Sequence, residues 1–174
     1  RLARDEIAQI SEVPPVDSSG WFEARQASDD SREAVLADLF RQATQELVDY
    51  SSMALGDSQA VAVLPTVAEF DTLKTVAGIL EQNLTLSVSR SGKFKLVDRG
   101  NLGTVLRELA LQQSGAMDGS KVSETGKLLG AKYLLASGVV RRADRYELFL
   151  KLLRVETGEV LSATRAKIDR KLVE

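Results

Sequence analysis

The chain contains no histidine and no cysteine. Without them it cannot build a Ser-His-Asp triad, a cysteine nucleophile, a zinc site of the usual ligands or a disulfide, so most familiar hydrolase mechanisms are excluded. The missing cysteine does not fix the compartment, because a reducing cytosol and an envelope protein without disulfides both permit it. Nor does charge of one sign dominate. Twenty-three basic and 25 acidic side chains leave a formal net charge of −2, so no global field steers the chain onto nucleic acid or an anionic membrane. No apolar run approaches the ~18 residues of a membrane-spanning helix. The sequence begins at Arg1 without a methionine or an apolar leader, which predicts that a targeting segment has been removed.

What is present fits one core with an appendage: 174 residues, 44% of them hydrophobic. Residues 1–58 read as a helical extension and linker. Leu2, Ile7 and Ile10 carry weak helical spacing, and Pro14-Pro15 and Asp17-Ser18-Ser19-Gly20 break it. A stronger helix is expected from about Ser31 to Tyr50, capped by Ser28 or Asp29, with Leu36, Leu39, Phe40 and Leu47 on one apolar face. Such a stripe either packs on its own domain or completes an interface with a second copy or a partner. Trp21 and Phe22 carry the same two readings, an anchor on the core or an exposed partner site.

Residues 59–174 read as a layered α/β domain. Ala60 to Pro65 is a short buried strand. Leu73, Val76, Leu80, Leu84 and Val88 form the stripe of a helix capped by Asp71 or Thr72 and stopped at Ser91-Gly92. Lys93 to Arg99 is a second strand, and helices follow around Leu102, Val105, Leu106 and Leu109 and from Ser120 to Leu129. Lys132 to Val140 is apolar on both faces, as an interior strand is. Tyr146, Leu148, Leu150 and Leu152 then alternate with Glu147 and Lys151, and Val160, Ser162, Thr164 and Ala166 alternate in a last strand. Two strand-helix units followed by an antiparallel meander give a mixed five-stranded sheet, and right-handed crossovers give the order 2-1-3-4-5.

The stretch Thr125-Gly126-Lys127-Leu128-Leu129-Gly130 has the look of a phosphate loop. Such a loop needs a glycine five residues before its Gly-Lys pair and a hydroxyl residue after it. Here those positions are Lys121 and Leu128. Gly-Lys also falls inside a helix that leads into a strand, the reverse of the order a phosphate loop requires. Gly130 is instead expected to be a left-handed helix cap, and no cofactor is expected.

The run VDRGNLGTVLRELALQQSGAMDGSKVSETGKLLGAKYLLASGVV, followed by LRVETGEVLSA, resembles the periplasmic domain of the curli-secretion lipoprotein (CsgG) family. The shared features are an arginine after the second strand, a leucine-rich helix ending in Gln-Gln-Ser-Gly, a Gly-x-x-x-Gly-Ala joint and a Thr-Gly-Glu hairpin. Related envelope proteins share the layout, among them lipoprotein activators of penicillin-binding proteins, flagellar outer-membrane lipoproteins and the amino-terminal domain of TolB. The resemblance implies a non-enzymatic, periplasmic protein-binding or assembly domain. It would bind a protein partner or itself, touch no nucleic acid, and meet the outer membrane only through a lipid anchor. Curli channels, by resemblance, insert a pore-forming hairpin between the third and fourth strands of this layout. Here Arg141 to Arg145 leaves no room for two crossings of about 9–11 residues each. An activator docking on a cell-wall synthase, or a flagellar accessory protein, is the alternative function. Candidate interaction residues are Arg141, Arg142 and Arg145 at one hairpin tip, with Trp21, Leu36 and Phe40 in the extension. The arginines read either as a solvated turn beside Asp144 or as a site for an acidic partner. Arg99 pairs with Asp98 or a helix end, or meets a partner.

Overall fold

The computed structural model describes residues 19–98, 103–113 and 119–174. The chain divides into two compact units, Arg1–Glu33 and Ala34–Glu174. Helix α1 (Ser19–Asp49) contributes to both. It starts earlier than the sequence predicts, and Ser28 and Asp29 lie in its interior rather than at its cap. Nothing between Trp21 and Asp49 breaks a helix: there is no proline or glycine, and Asp29 and Arg32 form an i,i+3 pair at 4.0 Å. The first ten residues, the Pro14-Pro15 break and Arg99 lie outside the described residues.

In the second unit, strand β1 (Gln59–Val63) is followed by a two-residue strand β2 (Val67–Ala68), a 3₁₀ turn (Asp71–Leu73) and helix α2 (Lys74–Arg90). Then come β3 (Phe94–Leu96), α3 (Gly103–Gln113), α4 (Gly119–Leu129), β4 (Tyr133–Arg141), β5 (Arg145–Arg154) and β6 (Val160–Asp169). The sheet order β3-β1-β4-β5-β6 is the expected one, with parallel pairs up to β4 and antiparallel pairs after it. The sixth strand, β2, is an addition to the five expected. It pairs with β4 alongside β1, so β1 and β2 are one line of pairing interrupted at Pro65, which has no N–H to give. The interruption is satisfied locally. The Thr66 amide donates to the Glu81 carboxylate at 3.1 Å, and the Thr66 and Ser137 hydroxyls lie 2.7 Å apart.

The α2 stripe is buried as expected at Leu73, Val76, Leu80, Leu84 and Val88. Its capping is different: the 3₁₀ turn leads into the helix, and Leu73 at the N-cap makes no side-chain cap bond. At the far end Gly92 has φ 72° and stops the helix. Two clusters make the core, one on each face of the sheet. The α1 side chains from Leu36 onward and α2 cover the face bearing Val61, Tyr133, Leu148 and Leu150. Leu106 and Ala110 of α3 and Val122 of α4 cover Ala62, Leu134 and Leu153 on the other.

Gly130 lies at φ 67°, and the Gly130 and Ala131 amides donate back to the Lys127 and Gly126 carbonyls at 3.1 and 2.9 Å. This is the left-handed cap expected of it. Gly126 has a separate reason to be glycine: a Cβ there would sit 2.5 Å from Cγ1 and 2.9 Å from Cβ of Val155. The resemblance to a phosphate loop thus comes from a helix cap and a close helix-sheet approach.

The last strand departs from simple alternation. Leu152 pairs with Ser162 and Leu153 with Val160, so Leu161 is the extra residue of a β-bulge. Val160 is therefore exposed, while Leu161 and Ser162 are both buried. The bulge ties the strand to the end of α1: the Leu161 carbonyl accepts from the Ser52 amide at 2.8 Å, and the Ser162 hydroxyl donates to the Leu47 carbonyl at 2.6 Å.

Candidate protein-docking face of the sheet

Helices α3 and α4 cover only one end of their side of the sheet. Beyond Ala136 the same face of β4, β5 and β6 bears Gly138, Val140, Glu147, Phe149, Lys151, Ala163, Arg165 and Lys167 by alternation. Lys151, Ala163, Arg165 and Lys167 are exposed, as is Phe149 at 39%. Phe149 is flanked in register by Gly138 on β4 and Arg165 on β6. Because Gly138 has no side chain, a groove of about 420 Å³ opens beside the ring, bordered by Val67, Val140, Lys151 and Ala110 of α3.

Glu147 is the hub of the charged end of this face. It is buried, and it accepts from Arg142 Nε and Arg145 at 3.3 Å each, with Arg165 at 4.0 Å. Burial alone raises its carboxyl, but the hydrogen bond and charge of Arg142, then Arg145 and Arg165, outweigh that and hold it below the usual carboxylate range. A buried carboxylate under three guanidinium groups fixes the arginine side chains in place. Arg145 also meets Asp144 at 3.2 Å. Lys151 and Lys167 have no ion-pair partner among the described residues.

The structure brings Arg142 and Arg145 together and sends Arg141 to the opposite face. There Arg141 adds its charge to the pair made by the Tyr146 hydroxyl, which donates to Glu174 at 2.6 Å. Leu36 and Phe40 are 4% and 0% exposed within the core, so their side chains serve the packing of α1 on its own sheet. Trp21 falls in the first turn of α1, and its side chain lies outside the described residues. Sequence reasoning missed Glu147, Phe149 and Arg165 as site residues. The signal was available in β5, where Phe149 stands between Glu147 and Lys151 in the outward register of an otherwise alternating strand. For Arg165 the alternation of Ser162, Thr164 and Ala166 already set it on the opposite face; what the sequence did not show is that helices leave this end of that face uncovered.

No group of carboxylates among the described residues could hold a metal ion, and no described helix is long and apolar enough to cross a membrane.

The model of the peptidoglycan-synthase activator LpoB family matches residues 69–168, more than half of the chain. The chain belongs to the LpoB family. Among solved structures, the LpoB carboxy-terminal domain from Escherichia coli is 21% identical with a TM-score of 0.56, over 75% of this chain and 98% of that one. The same domain from Salmonella enterica is 18% identical with a TM-score of 0.56, over 75% and 96%. The NMR structure of E. coli LpoB is 20% identical with a TM-score of 0.56, and here the match spans 75% of this chain but only 65% of that chain. At these identities the structures establish the fold. No curated protein matches the sequence. The resemblance to envelope lipoproteins is thus met through the activators of penicillin-binding proteins.

Proposed function

We propose that this chain is the globular part of an activator that docks on a peptidoglycan synthase in the bacterial cell envelope and raises its rate without doing chemistry itself. The observation that carries this reading is the LpoB family match over residues 69–168. It reverses the order in which the sequence placed the two functions, an assembly domain of the curli-secretion kind first and a synthase activator second. The three-residue connection between β4 and β5 also favours the activator, since it has no room for a pore-forming hairpin. In this reading the protein works in the periplasm, with a lipid anchor as its route to the outer membrane. Residues 59–174 carry the docking module, and residues 1–58 lead toward the anchor while the Leu36 and Phe40 stripe secures α1.

The test is a glycan-polymerisation assay on a bifunctional penicillin-binding protein from the same source, with lipid-linked disaccharide precursor. Stoichiometric addition of the chain should raise the initial rate several-fold, and the chain alone should make no product. An unchanged rate, together with no binding in sedimentation at micromolar concentrations, would reject the activator reading.

A further inference from the structure

The open end of the sheet differs from an ordinary solvated face in three ways. It carries an aromatic ring at its centre, a notch beside that ring where Gly138 lacks a side chain, and an excess of cations around it, of which Arg142 and Arg145 are held by Glu147. Its carboxylates are Glu69, which borders the groove on the β2 side, Asp144 and Asp169 at the hairpin end, and Glu147, which is already engaged by the arginines. The chain as a whole is slightly acidic, at −2, so this local excess is a matter of placement and not of composition.

We infer that this face receives an acidic protein segment carrying one apolar side chain, which seats in the notch between Phe149 and Gly138 while its carboxylates meet Lys151, Arg165 and Lys167. The inference rests on the activator reading for the identity of the partner, a peptidoglycan synthase, and on the geometry alone for the chemistry of the segment. A protein segment fits better than an anionic bilayer for two reasons. The apolar element is a recessed groove, not a protruding wedge, and the carboxylates of Glu69, Asp144 and Asp169 would oppose a uniformly negative surface. Of the three cations Lys151, Arg165 and Lys167, Arg165 is the one already placed beside Glu147, at 4.0 Å, so its side chain loses little freedom when the partner's carboxylates arrive. A mixed apolar and charged contact of this kind makes the association rate strongly dependent on salt.

Two variants probe the face without touching the core. Lys151→Glu with Lys167→Glu reverses two exposed charges that have no ion-pair partner among the described residues. Gly138→Val adds side-chain volume to the notch: a Cβ at Gly138 meets nothing closer than the Val67 carbonyl oxygen at 3.7 Å, and a β-branched residue suits a strand. Lys95→Glu with Lys127→Glu makes the same charge change elsewhere. All are titrated against the synthase ectodomain. The isotope-labelled chain is also titrated, by NMR, with an acetylated peptide Glu-Asp-Glu-Leu-Asp-Glu and with phosphatidylglycerol vesicles. Expected are a tenfold or greater loss of synthase affinity for both face variants at unchanged melting temperature, no more than twofold loss for the control, and saturating peptide-induced shifts at the Gly138, Phe149 and Lys151 amides. If the wild-type chain activates the synthase and the face variants bind as well as it does, the inference is overturned and the activator reading stands. If the wild-type chain neither binds nor activates a synthase, the activator reading fails and the peptide decides. Shifts at Gly138 and Phe149 that disappear in Gly138→Val then support the acidic-segment face, and their absence overturns it. Vesicles that reproduce those shifts better than the peptide assign the face to a membrane and overturn the inference as well.

Discussion

Replacing Gly126 by alanine should destabilise the fold even though alanine is the better helix former. In an open helix the exchange gains about 1 kcal/mol. At Gly126 the new Cβ would fall 2.5 Å from Cγ1 and 2.9 Å from Cβ of Val155, with Cγ2 also in contact. Val155 is β-branched, buried and fixed at a strand end, so it cannot swing away and α4 must shift instead. Overpacking of this kind costs about 3 kcal/mol at its upper end, leaving a net loss of about 2 kcal/mol. That is a fall in melting temperature of about 4–8 °C for a chain of this size. Val155→Ala alone removes two methyl groups and should cost about 2 kcal/mol. In the double variant both Cγ contacts are gone, only the 2.9 Å approach of the two Cβ atoms remains to be relieved by a small shift, and the helix gain is recovered. The pair should therefore lose only about 1 kcal/mol, where independent effects would sum to about 4. Urea unfolding followed by circular dichroism measures all four corners of the cycle, with the slope unchanged. A double variant whose loss equals the sum within about 0.5 kcal/mol would refute the close-approach account of this glycine.

Two other glycines separate space from backbone angle: Gly78→Ala, exposed in α2 with nothing near its Cβ, should gain about 1 kcal/mol, while Gly130→Ala, equally open but at φ 67°, should lose about 1 kcal/mol. Thermal melts of the two variants should shift in opposite directions. Phe40→Ala should cost about 3–5 kcal/mol, because the ring is fully buried between α1 and the rest of the core; a melting temperature within a degree of wild type would refute the packing of α1. The pH dependence should show two wings. The Arg170 and Tyr146 hydrogen bonds lower the Glu174 carboxyl, so its contribution is present above the unfolded value and is lost as pH falls through the folded one. The Glu174 hydrogen bond, then burial, raises Tyr146, so its contribution is present below the unfolded tyrosine value near 10 and is lost as pH rises through the folded one. Tyr146→Phe should flatten the alkaline wing and shrink the acid one, measured as urea midpoints across pH; identical pH profiles for the two proteins would contradict this.

The order of elements and the two-sided burial of β4 were decided by the sequence itself, since period 3.6 in α2 and period 2 in β5 each arise from chain geometry and need no partner to be legible. The helix cap at Gly130 belongs to the same class, because only glycine enters that backbone angle without strain. Other features needed the tertiary structure, and each turns on a contact distant in sequence. The apolar stripe of α1 is core because the sheet is there to receive it. Strand β2 exists because β4 continues past Pro65 and offers a second place to pair. The bulge at Leu161 is tied to the end of α1, and it moves Val160 to the opposite face from Ser162, Thr164 and Ala166. The arginine cluster divides because the chain reverses between β4 and β5. Arg141, still in the strand register, goes to one face, while Arg142 and Arg145 turn to the other, where Glu147 binds them. Sequence carries a residue's charge and its period; which face that charge finally occupies depends on pairing registers and bulges, and those are settled only when distant segments pack together.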